Sequence, residues 1–200
     1  TLIVGNAKLL YRIPPIAKVL LGPPSGTLPM IAPKNVQPVS YQIDDTNGEM
    51  ALQFNGNTYK VTSQYSTPDG KWVSDSNKYF SVKRQLEKKG EWIVVHDTFT
   101  NLTDENLPLM HREEVQMKAD KVWLGGLSPS SINGTSANPH NPTVFGVQAK
   151  TGIGLLPLDD VFQVHITNYS TADGIGLMDN NLVLKPKSTY TAEWALVPVA

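Results

Sequence analysis

Residues 91–118 constrain the fold more than any other part of this chain. The run 91–100 reads Glu-Trp-Ile-Val-Val-His-Asp-Thr-Phe-Thr and is dense in β-branched and aromatic residues. A polar joint, Asn-Leu-Thr-Asp-Glu-Asn-Leu-Pro, occupies 101–108, and 109–118, Leu-Met-His-Arg-Glu-Glu-Val-Gln-Met-Lys, takes the chain back. Residues of the first kind suit a pleated, half-buried surface, and turn formers with a proline break that surface at a definite point. The pair dictates an antiparallel β scaffold. It dictates no chemistry.

The same pattern repeats downstream. Strands are predicted at 37–43, 49–54, 58–66, 78–87, 91–100, 109–118, 121–125, 143–148, 160–168, 174–178, 181–185 and 189–197. Asn55-Gly56 and Asp69-Gly70 are strong hairpin signals, because these residues tolerate positive φ, and Lys88-Lys89-Gly90 is a further turn signal. Thus 49–54 with 58–66 reads as a tight hairpin, and 78–87 with 91–100 as another. Tyr190, Ala192, Trp194 and Leu196 share one face of the last run and alternate with Thr189, Thr191, Glu193 and Ala195, the mark of a strand with one wet side. No segment carries helical periodicity over three turns; the best, 104–110, contains Pro108. No internal repeat is found, and 125–141 reads as a long loop of Gly, Ser, Asn and Pro. The expectation is a single all-β domain over 37–200, a large two-sheet antiparallel sandwich with little helix.

Residues 1–36 differ. Pro14, Pro15, Pro23, Pro24, Pro29 and Pro33 fall in this stretch, and proline cannot donate to a β ladder. The segment is expected to be an edge meander or an extended arm, and an arm that docks on a neighbouring domain or subunit is the functional alternative. The start at Thr1 carries the expectation of a processed or excised piece of a larger protein.

Composition narrows the function classes. The apolar fraction of 40% is that of a chain with a real core. Lys+Arg 17 against Asp+Glu 18 provides no basic face for nucleic acid and no polybasic run for an anionic membrane. With no cysteine, disulfides, thiolate metal sites and cysteine nucleophiles are excluded. Glycosylation sequons begin at Asn101, Asn133 and Asn168. There is no nucleophile elbow, phosphate-cradling loop, zinc-protease motif or dinucleotide fingerprint.

The remaining candidates are scattered. His96 and Asp97 are neighbours on one strand and point to opposite faces, so they form no dyad. His111 and Arg112 follow the polar joint, and cross-strand ion pairs with Glu113 and Glu114 explain Arg112 equally well. His140 lies in Asn138-Pro-His-Asn-Pro, where rigid backbone with amide and imidazole groups suits sugar hydroxyls; a loop closed by its own Asx turns fits as well. Asp159-Asp160 and Asp173 to Asp179 offer oxygens to calcium without any EF-hand spacing, and no other cofactor is indicated. Trp92 and Trp194 are expected in the core, leaving Trp72 and Trp123 as sugar-stacking surfaces.

Residues 90–107, with Asp97, Asn101, Thr103 and Glu105 at fixed spacing and Arg112-Glu113 beyond, resemble a strand–turn–strand passage of galactose mutarotase-like supersandwich domains. The ending, Leu-Lys-Pro-Lys-Ser-Thr-Tyr-Thr-Ala-Glu-Trp at 184–194, is similar to the closing strands of such domains, and 141–162 resembles parts of large bacterial proteins of glycoside-hydrolase type. The resemblance spans about residues 40–198. It implies a supersandwich fold, a carbohydrate context and an extracellular or periplasmic location. The histidines and late glutamate that catalyse mutarotation have no counterpart here, so no catalytic role carries over.

The expected function is a non-catalytic carbohydrate-associated domain that binds a glycan or supports an adjacent glycosidase domain. Trp123, His111, Arg112, Asn138, His140 and Asn141 form its expected glycan site. Two alternatives belong to other classes. One is a structural subunit assembling by strand exchange through the N-terminal arm as a homo-oligomer. The other is a sugar epimerase or lyase with His111 or His96 as base.

Overall fold

The computed structural model describes residues 40–46, 49–126, 132–138 and 140–199, all within the unit Pro38–Ala200. The arm expected over 1–36 lies outside the described residues. Strands β1 (Tyr41–Thr46), β2 (Glu49–Phe54), β3 (Asn57–Ser66), β4 (Trp72–Val73), β5 (Phe80–Lys89) and β6 (Trp92–Asn101) come first. Next are β7 (Leu107–Pro108), β8 (His111–Gln116), β9 (Lys121–Leu124), β10 (Gly134–Ser136), β11 (Val144–Gln148) and β12 (Thr151–Pro157). Helix α1 (Asp160–His165) then leads into β13 (Ile166–Ser170), β14 (Gly174–Asp179), β15 (Val183–Leu184) and β16 (Thr189–Val199).

These strands build an all-β, antiparallel sandwich. One sheet runs β1-β2-β3-β8-β14-β13-β10, with β4 added beside β3; the other runs β5-β6-β16-β12-β11-β9. The expected hairpins form: Asn55 and Gly56 both take positive φ, 47° and 75°, in a two-residue turn that sets Phe54 opposite Asn57. The 91–118 passage forms as expected in outline but not as one hairpin. Strand β6 lies in the six-stranded sheet and β8 in the eight-stranded one, so the polar joint carries the chain across the sandwich.

Alternation then decides what is buried. Met50, Leu52, Tyr59, Val61, Val115, Ile175 and Leu177 face inward from one sheet, and Ile93, Val95, Phe99, Leu155, Trp194 and Leu196 from the other. Because the side-chain period is two, a one-residue slip would expose either set, which pins the register. Tyr65, Phe80, Phe99, His111 and Phe162 stack edge-on or tilted through the middle, with neighbouring centroids 4.7–6.5 Å apart.

Four expectations are corrected. The run 160–168 is not one strand: 160–165 is helical because the Asp159 carboxylate caps it, accepting the Phe162 N–H at 2.9 Å. Trp92 is not in the core but is 39% exposed, since the register with Lys89 turns it outward at the start of β6. Loop 125–141 contains β10, paired with β13. Residues 151–157, not predicted as a strand, form the inner strand β12. Its glycines and terminal proline dilute the β signal. Gly152 is required there, because a Cβ would sit 2.5 Å from the Phe145 ring.

The polar joint is organised by Asn101, which is wholly buried. Its Nδ2 donates to the carbonyls of Glu105 (2.8 Å), Leu184 (3.1 Å) and Lys185 (3.0 Å), and its Oδ1 accepts Thr103 N at 2.8 Å. This ties the joint to the β7–β15 pair. Asn101→Ala strands several buried polar groups at once and is expected to cost about 2–3 kcal/mol, read as a lower urea midpoint at unchanged slope. The same geometry bears on the sequons. Asn101 and Asn168 are fully enclosed, and Asn168 Nδ2 donates to Thr143 O at 2.9 Å, so the folded domain presents neither amide for glycosylation. Asn133 is exposed.

Candidate functional site

The six residues expected to form one glycan site divide among three places. His111 points inward from β8 and has no exposed side-chain surface, so it cannot contact a glycan. Its Nδ1 lies 3.0 Å from Glu113 Oε1 and its Nε2 3.8 Å from Asp179 Oδ2. Arg112, one residue on, points out of the eight-stranded sheet. Its guanidinium lies 4.6 Å over the Trp72 ring, and its Nε donates to Gln64 Oε1 at 2.8 Å. The ion pairs expected between Arg112 and Glu113 or Glu114 do not form: Glu113 faces His111, and Glu114 accepts the Tyr169 hydroxyl at 3.0 Å.

Trp123 points out of the other sheet, so Arg112 and Trp123 lie on opposite outer faces of the sandwich. Trp123 sits half-buried on β9, an edge strand, opposite Phe145 with ring centroids 5.7 Å apart. Asn138, His140 and Asn141 gather close to the end of that strand. Asn138 closes the turn, its Oδ1 accepting His140 N at 3.1 Å and its carbonyl accepting Asn141 N at 3.1 Å. Asn141 Oδ1 accepts the Thr143 hydroxyl at 2.7 Å. The turn abuts Gly126, whose φ is 66° and where a Cβ would fall 1.8 Å from Asn141 Nδ2. The Asx-turn reading of this loop is therefore correct. The turn still leaves the His140 ring exposed and the two asparagines half-buried.

Sequence reasoning missed Phe145, for which the one available signal was its alternation with Val144 and Gly146. It also missed a buried charged network between the sheets. Arg84 of β5 grips Asp97 of β6 through Nε–Oδ1 at 2.7 Å and Nη2–Oδ2 at 2.8 Å. The same Nη2 reaches across to Ser63 Oγ (2.6 Å) and Tyr65 Oη (3.2 Å) of the facing sheet, and Trp194 Nε1 donates to Asp97 Oδ2 at 3.0 Å. Burial, and next the Asp97 charge, push the Tyr65 hydroxyl well above its usual range. His96 and Asp97 indeed diverge: His96 faces out, its Nδ1 3.1 Å from Glu193 Oε1.

Two of the aspartates considered for calcium, Asp159 and Asp179, are engaged by the protein. Asp159 Oδ1 accepts Phe162 N and the Tyr190 hydroxyl (2.7 Å), and its Oδ2 accepts Glu193 N (2.8 Å). Asp179 Oδ1 accepts Asn181 N at 2.6 Å and Leu182 N at 3.1 Å, while its Oδ2 faces His165 Nδ1 at 3.1 Å. No helix among the described residues is long and apolar enough to cross a membrane.

Fold and geometry together define an antiparallel β-sandwich domain with one aromatic edge and a charged interior. No protein-family model matches the chain, and no curated protein matches it. Among solved structures, the Slr1438 protein from Synechocystis sp. PCC 6803 is similar, with a TM-score of 0.44 and 9% identity. The match covers 80% of this chain and 65% of that one.

Proposed function

We propose that this chain is a non-catalytic, carbohydrate-associated β-sandwich domain that binds a glycan at the β9 edge, alone or beside a glycosidase domain. The observation that carries this reading is the outward Trp123–Phe145 pair with the Asn138-His140-Asn141 turn close to the end of its strand. Flat aromatic surface takes the apolar face of a sugar ring, and amide and imidazole groups both donate and accept, as hydroxyls require. The likeness of 90–107 and 184–194 to mutarotase-like domains supports the same reading. His111 and Arg112 drop out of the site, the first by burial and the second by facing the other way. Enclosure of His111 also removes one of the two imidazoles considered for the epimerase or lyase alternative, since a base must reach the proton it takes.

A glycan-array screen with wild type, Trp123→Ala and His140→Ala tests the proposal. Trp123→Ala is expected to weaken binding about ten-fold, roughly 1.4 kcal/mol, and His140→Ala by less, with the β circular dichroism spectrum unchanged. Binding that neither replacement weakens removes this site. Binding to no glycan leaves a purely structural role.

A further inference from the structure

At one end of the sandwich lies an open cleft of about 580 Å³. Asn57 and Thr58 line it from the start of β3; Glu114, Gln116, Met117 and Lys118 from the end of β8; Gln148 from the end of β11; and Asp173 from the turn before β14. Tyr59 and Met117 are almost wholly buried and form its floor. The Tyr59 hydroxyl is fixed to Thr151 Oγ1 at 2.6 Å, and that hydroxyl in turn donates to the Gln148 carbonyl at 3.1 Å. The volume falls in the range of small-molecule sites, roughly 300–1,000 Å³.

Most of the polar rim has no partner within the protein. Lys60, Lys71 and Lys187 pair with Glu49 (2.6 Å), Asp69 (3.1 Å) and Asp104 (3.2 Å). In the cleft, Lys118 and Asp173 form no ion pair among the described residues. The side chains of Thr58, Gln116 and Gln148 have no hydrogen-bond partner among them either. Glu114 lends one oxygen to the Tyr169 hydroxyl and keeps the other, and the Asn57 amide donates to Asn55 O at 3.3 Å and keeps its acceptor.

We infer that this cleft is a second ligand site, separate from the β9 edge, for a neutral polyhydroxylated molecule of sugar size. Amides, a hydroxyl, an ammonium and carboxylates on one rim supply donors and acceptors to the same ligand, the requirement of a polyol whose every hydroxyl both gives and takes. Two carboxylates disfavour an anion. One ammonium among them disfavours a hard cation, which needs oxygen ligands on all sides.

Amide-detected NMR titration of the full chain with D-glucose, D-galactose, D-mannose and N-acetylglucosamine, each to millimolar concentration, tests the inference. Glycine and inorganic phosphate serve as probes of the competing zwitterion and anion classes. The expected result is saturable shifts at the Asn57, Gln116 and Gln148 side-chain amides with at least one sugar and with neither control. Gln116→Ala and Gln148→Ala are expected to weaken that sugar about five-fold each, while Lys83→Ala on the outer face of β5 leaves it unchanged. Shifts confined to the Trp123 indole overturn this site and leave the β9-edge proposal standing. Equal or larger cleft shifts with glycine or phosphate overturn the ligand class. No cleft shift with any sugar overturns the inference.

Discussion

Replacing Arg84 with methionine is expected to lower the unfolding free energy by about 3–5 kcal/mol, a large fraction of what a domain of this kind possesses. Asp97 is wholly buried, and Arg84 supplies its two closest donors. Methionine fills much of the space but leaves a carboxylate in the core with Trp194 Nε1 as its remaining side-chain donor. It also deprives Ser63 and Tyr65 of the guanidinium that joins the sheets. The cost is that of an uncompensated buried charge rather than of a lost attraction. Arg84→Met combined with Asp97→Leu is therefore expected to recover a substantial part of the loss. Urea denaturation of the wild type, both single variants and the double variant forms the cycle that reads this coupling. A single variant within 1 kcal/mol of wild type (roughly five-fold in the folding equilibrium) contradicts the assignment.

The second large effect is a pH dependence set by His111. Burial alone would push its pKa down. The neighbouring Glu113 charge and hydrogen bond, followed by Asp179 and Asp97, outweigh burial and hold it above the ordinary 6.5. Glu113 is likewise raised above 4.5, chiefly by burial, with His111 opposing. Around the pair stand Asp179 on β14 with His165 beyond it, Asp97 and Arg84 on the facing sheet, and Tyr65 on β3. For a raised pKa the folded state holds its proton longer than the unfolded chain. The His111 contribution is fully present below pH 6.5 and is lost as pH climbs through the folded value; that of Glu113 is present below pH 4.5 and is lost in the same direction. Stability is thus expected to fall as pH rises above 6.5, by about 1.4 kcal/mol for each unit separating folded and unfolded pKa. Replacing His111 and Glu113 together with glutamine is expected to remove that slope, whatever it does to stability at a fixed pH. A slope that survives the double replacement assigns the titration elsewhere.

Much of the fold is legible in the residues alone. Strands β2, β3, β5, β6 and β16 fall within two residues of their predicted limits, because their signals are local: β-branched runs, period-two alternation, and Asn-Gly or Lys-Gly turns. The elements that escaped prediction are those whose warrant is not local. Strand β12 is rich in glycine, and it is a strand because Phe145 lies across Gly152 and because β11 and β16 pair on either side. Helix α1 has just six residues and exists because Asp159 caps it while Tyr190 and Glu193 hold that carboxylate in place.

The candidate site shows the same division more sharply. By itself the sequence determined the all-β antiparallel class, the turns at Asn55-Gly56 and Lys89-Gly90, the exclusion of thiol chemistry, and the opposite facing of His96 and Asp97. Each of these follows from residue identity or from the strand period. Tertiary structure alone decided that His111 is sealed in the core beside Glu113, that Arg112 and Trp123 look out from opposite sides of the sandwich, and that Arg84 spans the two sheets. A strand's period says which residues share a face. Which face meets the other sheet, and which strands become neighbours, depends on pairings between residues up to about a hundred positions apart, such as Trp194 with Val95. Those pairings are chosen by burial summed over the whole chain.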